Sequence, residues 1–201
     1  MYSSSSKKNK TGKLHKFNNL LSLIVIGLPL YIIVLPFLPN VTYKIDQITN
    51  SKPLLVRVNT PSEPNKPTEN IPTENTIVIP SMNLQKTIFD GSSVATLRKG
   101  VWHRPNTSNP AQGGNTIMAG HRYGYNGDGV FYHLDKVHKG DDIFVYWQSK
   151  KHHYVVNEIK VVPPTDLSVE ASSALSEVTL YTCTPMWTFT DRLVIVAEEV
   201  I

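Results

Sequence analysis

Cysteine is almost absent from this chain of 201 residues: Cys183 stands alone. A single thiol excludes an internal disulfide framework and any multi-cysteine zinc or iron–sulfur site. Acidic residues are missing from the whole N-terminal stretch before Asp46, which carries Lys7, Lys8, Lys10, Lys13 and Lys16. Removing those five from the twenty Lys and Arg leaves fifteen basic residues against sixteen acidic ones, so residues 17–201 carry a net charge of −1. A nucleic-acid footprint needs basic residues clustered on the folded part, and this composition implies no such partner. With 40% hydrophobic and 9% aromatic residues there is enough apolar material for one core.

Charge is absent again from Phe17 to Tyr43, and residues 20–38 read LLSLIVIGLPLYIIVLPFL. That length crosses a bilayer core of roughly 30 Å at about 1.5 Å per residue. Pro29 and Pro36 are tolerated in membrane spans. The competing readings are a cleaved signal peptide, whose apolar region is shorter, and a buried core helix. We read residues 17–43 as an uncleaved anchor. The five preceding lysines place residues 1–16 in the cytoplasm as a basic tail and everything after about residue 44 outside the cell. Residues 44–75 contain SEPNKPTENIPTEN, a Pro-rich composition that reads as an extended, semi-stiff extracellular linker.

From Thr76 onward the pattern changes to short β-branched and aromatic runs: TIVIP, LQKTIF, NTIMA, DIFVYW, HYVVNEIKVV, VTLYT and RLVIVAEEV. Gly91, Gly100, Gly113, Gly114, Gly120 and Gly140 mark breaks. Short helices fit only at Ser93–Leu97, Val130–Leu134 and roughly Leu167–Ser176. Seven or eight strands in residues 76–201 predict an all-β domain, a closed or nearly closed barrel with small helical decorations.

Cys183 follows a strand pattern and precedes Thr184-Pro185, so it sits at a strand end, where reactive side chains are commonly displayed. Space filling is the bland alternative for a free cysteine. His121 ends another strand after Gly120, while His15, His103, His133, His138, His152 and His153 compete with it for any catalytic role. Arg192 opens the last strand nine residues after Cys183. If the two strands are antiparallel neighbours, the guanidinium comes to the cysteine's end of the barrel and can stabilise an oxyanion. The alternative for Arg192 is a surface pair with Asp191 or Glu198. A metal site using His121, His133, His138 and Cys183 matches no standard zinc spacing.

The string TLYTC at 179–183, with Arg192 opening RLVIV, resembles the signature of the sortases, membrane-anchored cysteine transpeptidases of bacterial surfaces. IPSMNLQKTIFDG at 79–91 resembles the family's first strand pair. LRKGVWHRPNTSNPAQGGNTIMAGHR at 97–122 resembles its central block ending in the catalytic histidine, and FYHLDKVHKGDDIFVYW at 131–147 matches the next segment. The resemblance implies a closed eight-stranded sortase-like barrel behind one N-terminal transmembrane helix. It also implies a single-pass protein of the cell membrane whose catalytic domain faces outward.

The implied activity is cleavage of a Leu-Pro-x-Thr-Gly-like sorting motif through a thioacyl-enzyme, followed by transfer to an amine of the cell envelope. Its implied partners are surface proteins bearing that motif. Cys183 would be the nucleophile, His121 the proton carrier and Arg192 the oxyanion support. Thr182, beside the nucleophile, and Trp187, in the loop Thr184–Asp191, are candidate substrate contacts, the groove being bounded also by the loop of about Pro163–Ser176. No orienting carboxylate is evident at a family position.

Pilus-building members often carry an Asp-Pro-aromatic lid and a second span; this chain shows neither, so a pilus polymerase is not expected. Asp128, Asp135, Glu170 and Glu177 form no recognisable calcium pattern, and no cofactor or metal is predicted. Two functions remain as alternatives: a cysteine endopeptidase that releases surface proteins, and a catalytically silent surface-binding module.

Overall fold

The computed structural model describes residues 8–34, 71–124 and 127–200. In the first of these segments a helix, α1, runs from Lys8 to Val34 and contains Pro29. Its stretch His15–Ile33 is long and apolar enough to cross a membrane and is exposed along its length. A buried core helix would instead be covered by its own protein. The helix begins nine residues before the predicted span, since the lysine-rich stretch continues the same turns. Residues 35–70, which include most of the Pro-rich linker and Pro36, lie outside the described residues.

Among the described residues the second unit contains ten strands: β1 (Thr76–Ile79), β2 (Leu84–Asp90), β3 (Val101–His103), β4 (Asn115–Ala119), β5 (Tyr123–Gly124), β6 (Gly127–Asp128), β7 (Asp142–Trp147), β8 (Lys150–Val162), β9 (Glu177–Thr184) and β10 (Asp191–Glu199). Eight of them close into a barrel in the order β1-β2-β3-β4-β9-β10-β8-β7, while β5 and β6 form a small separate hairpin. Pairing of β1 with β7 completes the closure, which leaves no open sheet edge to recruit another strand. The eighth barrel strand is Val101–His103, which is too short to show an alternation of its own.

Alternation sets the inside and the outside. Val178 and Leu180 of β9, and Leu193, Ile195 and Ala197 of β10, join one core with Ile77, Ile79, Met118, Ile143, Val145 and Tyr154. The intervening residues Thr179, Tyr181 and Cys183, with Arg192, Val194 and Val196, therefore stand on the outer face. The connection from β7 to β8 is a two-residue hairpin in which Gln148 and Ser149 both have positive φ, 49° and 61°. That conformation matches the right-handed twist of the strands it joins.

Two of the expected short helices hold 3-10 turns, Val94–Arg98 and Leu167–Glu170, whereas Val130–Leu134 is plain turn up to a 3-10 turn that starts at its last residue, Leu134–Lys136, and a further 3-10 turn at Pro80–Met82 was not expected. Side-chain caps fix the start of Val94–Arg98 and of Leu167–Glu170. Ser93 Oγ accepts from Ala95 N, and Asp166 Oδ1 accepts from Ser168 N. Past Glu170 the connection to β9 leaves helical geometry at Ala171 (ψ 148°).

Two pairings in the barrel are parallel, β2 with β3 and β4 with β9; the others are antiparallel. Parallel neighbours end at the same rim, and an antiparallel partner begins there. The C-terminal ends of β4 and β9 and the N-terminal end of β10 consequently share one rim.

Candidate active site

That rim holds the three residues singled out in the sequence. In the β9–β10 ladder Arg192 is the direct partner of Cys183. Directly opposed residues project from the same face with Cβ atoms roughly 4.5–5.5 Å apart. Both are half-buried and stand on the outer surface. In the parallel β4–β9 ladder the last pair is Ala119 with Tyr181. His121 and Cys183 each follow that pair by two residues, so the backbone brings the imidazole-bearing residue to the level of the thiol.

Arg192 does not pair with the carboxylates that would make it a mere surface arginine. Asp191 Oδ2 accepts from Thr190 at 2.7 Å, and Glu198 accepts from Asn157. The Arg192 guanidinium instead donates to the carbonyl of Asp191 at 3.0 Å and, more weakly, to that of Phe189 at 3.5 Å. It is thus tied to the β9–β10 turn while remaining the ladder partner of Cys183.

His121 is exposed, and its side chain has no hydrogen-bond partner among the described residues. Its backbone is held firmly. Phe131 N donates to His121 O at 3.0 Å, and Gly120 N donates to Tyr181 O at 3.2 Å. Two glycines permit this close approach: a Cβ on Gly120 would collide with Val130 and Phe131, and one on Gly129 with the His121 carbonyl. The next residue, Arg122, is buried and pairs with Asp135 at 3.0 Å.

Thr182 and Trp187 occupy contrasting places. Thr182 points inward: only 1% of it is exposed, and its hydroxyl donates to Gly120 O at 2.8 Å. It ties the strand end that carries Cys183 to the strand end that precedes His121, so the hydroxyl serves an internal bond. Alternation explains why, since the neighbour of an outward cysteine must face inward. Trp187 is 62% exposed in the β9–β10 loop, has φ 88°, and lies 6.0 Å from the Tyr123 ring. A bulky residue at positive φ is uncommon and is held there by its surroundings.

Comparison with known proteins decides the family. A model described as the sortase domain matches residues 77–200. The chain belongs to the sortase family. Sortase A of Listeria monocytogenes is 31% identical over 123 residues, which is 61% of this chain and 54% of that protein. Sortase D of Bacillus subtilis is 29% identical over 108 residues, 53% of this chain and 52% of its own length. Among solved structures, sortase A from Corynebacterium diphtheriae, lid mutant, superposes with a TM-score of 0.59 at 30% identity, covering 65% of this chain and 71% of that one. The chain spans about half the length of the curated relatives it matches. Relatives lettered A and D match almost equally, so similarity does not choose a sortase class.

The sortase barrel also carries, on the face of β9 that bears Cys183, a polar cluster that sequence reading missed. Arg104, just beyond β3, donates to Glu170 through Nε at 2.9 Å and Nη2 at 3.2 Å, and Tyr181 Oη donates to Glu170 Oε1 at 2.7 Å. Burial works against ionisation of Glu170, but the Arg104 and Tyr181 hydrogen bonds outweigh it and hold the carboxyl below its usual range. Burial, reinforced by the Glu170 carboxylate, pushes the Tyr181 phenol well above its usual range, so the phenol stays a donor. Tyr181 could have been suspected, because it lies two residues from Cys183 on the same strand face. Arg104 and Glu170 are 66 residues apart and give no local signal.

Among the described residues no group of three or more His, Cys, Asp or Glu is placed to hold a metal ion. Of the carboxylates considered as calcium ligands, Glu170 is engaged by Arg104 and Asp135 by Arg122.

Proposed function

We propose that this sortase is a membrane-tethered cysteine transpeptidase acting on surface proteins that carry a Leu-Pro-x-Thr-Gly-like sorting motif. The observation that supports it best is the direct pairing of Cys183 with Arg192 at the rim where β4 delivers His121. The Cys183 thiolate attacks the carbonyl carbon of the motif, forming a C–S bond. Arg192 stabilises the negative charge that develops on the carbonyl oxygen. As the C–N bond breaks, His121 gives its proton to the leaving amine, and the thioacyl-enzyme remains. An incoming envelope amine then loses a proton to His121 and attacks the thioester, restoring the thiolate and making a new amide.

In this reading α1 is the single anchor, with residues 1–16 cytoplasmic, 17–43 spanning, 44–75 a spacer and 76–201 the extracellular catalytic domain. Trp187, exposed in the β9–β10 loop, contacts the bound peptide.

The test is product analysis by mass spectrometry on a sorting-motif peptide with and without an added amine. Amide product formed only with the amine supports transfer, whereas hydrolysis unaffected by amines would make the protein an endopeptidase. Cys183→Ala must abolish both products while leaving the circular dichroism spectrum unchanged. Turnover within about tenfold of the parent would reject the thioacyl mechanism.

A further inference from the structure

The connection between β8 and β9 bounds the groove in the proposed function, yet beyond its single 3-10 turn it has no regular structure of its own. Leu167 and Leu175 on it are 74% and 57% exposed, so they anchor little. Its position rests on polar ties. Glu170 is gripped by Nε and Nη2 of Arg104 and by Tyr181 Oη. One residue on, the Ala171 carbonyl accepts from Asn115 Nδ2 at 3.0 Å, while Asn115 Oδ1 accepts from Thr179 Oγ1 at 2.8 Å.

Arg104 is itself braced. Its guanidinium lies 4.4 Å from the centre of the Trp102 ring, and Trp102 Nε1 donates to Gly91 O at 2.8 Å. A planar fork placed over an indole and closed on a carboxylate is an arrangement that a lysine cannot reproduce. The other end of the cluster reaches the thiol's neighbourhood. Tyr181 shares the outer face with Cys183, and the positive charges of Arg104 and Arg192 both act on its phenol.

We propose that Arg104 is a positioning residue for the transpeptidation site. By holding Glu170 against Tyr181 it latches the β8–β9 connection onto the outer face of β9 and sets the width of the peptide groove next to Cys183. Its consequence for substrate rests on the proposed function; the latch itself does not. Loss of Arg104 frees the connection, weakens peptide binding and leaves the thiol's chemistry largely intact.

The experiment compares the full chain in detergent with Arg104→Ala, Arg104→Lys and the exchanged pair Arg104→Glu/Glu170→Arg. Two readouts are taken: amide hydrogen exchange over residues 167–176, and kcat and KM for a sorting-motif peptide. The expected result for Arg104→Ala is exchange over 167–176 faster by roughly tenfold with β10 protection unchanged, and a KM higher by a similar factor with kcat changed by less than about threefold. The exchanged pair should recover part of both. If Arg104→Ala does not fold, Arg104→Lys should show the same pattern in weaker form.

Unchanged exchange over 167–176 overturns the latch, and a loss confined to kcat overturns its role in binding. Should the parent turn over no sorting-motif peptide, the proposed function fails, while the exchange data still decide the latch.

Discussion

Cys183 and Arg192 face each other across the β9–β10 ladder as direct partners. The relationship puts the positive charge beside the sulfur through backbone hydrogen bonding, without relying on a long flexible side chain to find its place. The loop joining them is compact: Phe189 N donates to Pro185 O at 3.0 Å, and Phe189 and Trp187 have φ values of 53° and 88°. Its carbonyls take the Arg192 donors, so the loop that presents Trp187 and the guanidinium are one mechanical unit.

Replacing Arg192 by Lys keeps the charge and discards the fork. Steady-state kinetics on a sorting-motif peptide should then show kcat/KM lower by roughly 10²-fold or more, the scale of a lost oxyanion donor. The melting temperature should hardly move, because a half-exposed cation without a carboxylate partner contributes little to stability. A variant with near-normal turnover and a much lower melting temperature would make Arg192 a structural residue.

Thr182→Val removes a buried hydroxyl while keeping shape. The Gly120 carbonyl loses the partner that Thr182 provides, a change that costs about 1–3 kcal/mol and should appear as a lower midpoint in urea unfolding. KM should stay near the parent value, since the side chain faces the interior. An unaltered midpoint with a raised KM would mean that the hydroxyl meets substrate after all.

Two carboxylates should bend the pH–stability curve in opposite directions. Folding lowers the pKa of Glu170, so its contribution is present above its ordinary value of 4.5 and fades as pH falls through the lower folded value. Glu170→Gln should therefore be less stable than the parent near neutrality, with the two curves converging in acid. Glu177 is shifted upward, by burial first and then by Glu198 and Glu158, which outweigh the Ser173 hydrogen bond and Lys160. Its contribution is full below 4.5 and is lost as pH rises through the raised value, so Glu177→Gln should be more stable than the parent near neutrality. Thermal melts from roughly pH 3 to 7 read both slopes, and parallel curves for parent and variants would contradict them.

The proposed topology rests on the five lysines ahead of the apolar stretch. Protease added to intact cells should cut within residues 44–75 and release a soluble domain beginning near residue 75. If this segment is cut only after the cells are opened, the orientation is the reverse.

Residues close in sequence were the readable part of this protein. The β-branched runs announced seven barrel strands, the uncharged stretch announced α1, and TLYTC with RLVIV pointed to Cys183 and Arg192, because strand alternation and hydropathy are written in consecutive residues. The same alternation does not say which face of β9 looks inward when Thr179 on the outer face is as buried as Leu180 on the inner one. Tertiary structure had to settle that, and with it the inward turn of Thr182. Strand order was likewise invisible: β4 lies parallel to β9 across some sixty residues of chain, and this pairing alone brings His121 to the cysteine's rim. The Arg104–Glu170–Tyr181 cluster belongs to the same class. An arginine and a glutamate 66 residues apart look like any other surface charges until barrel closure brings them within hydrogen-bonding distance, where partial burial makes their pairing matter.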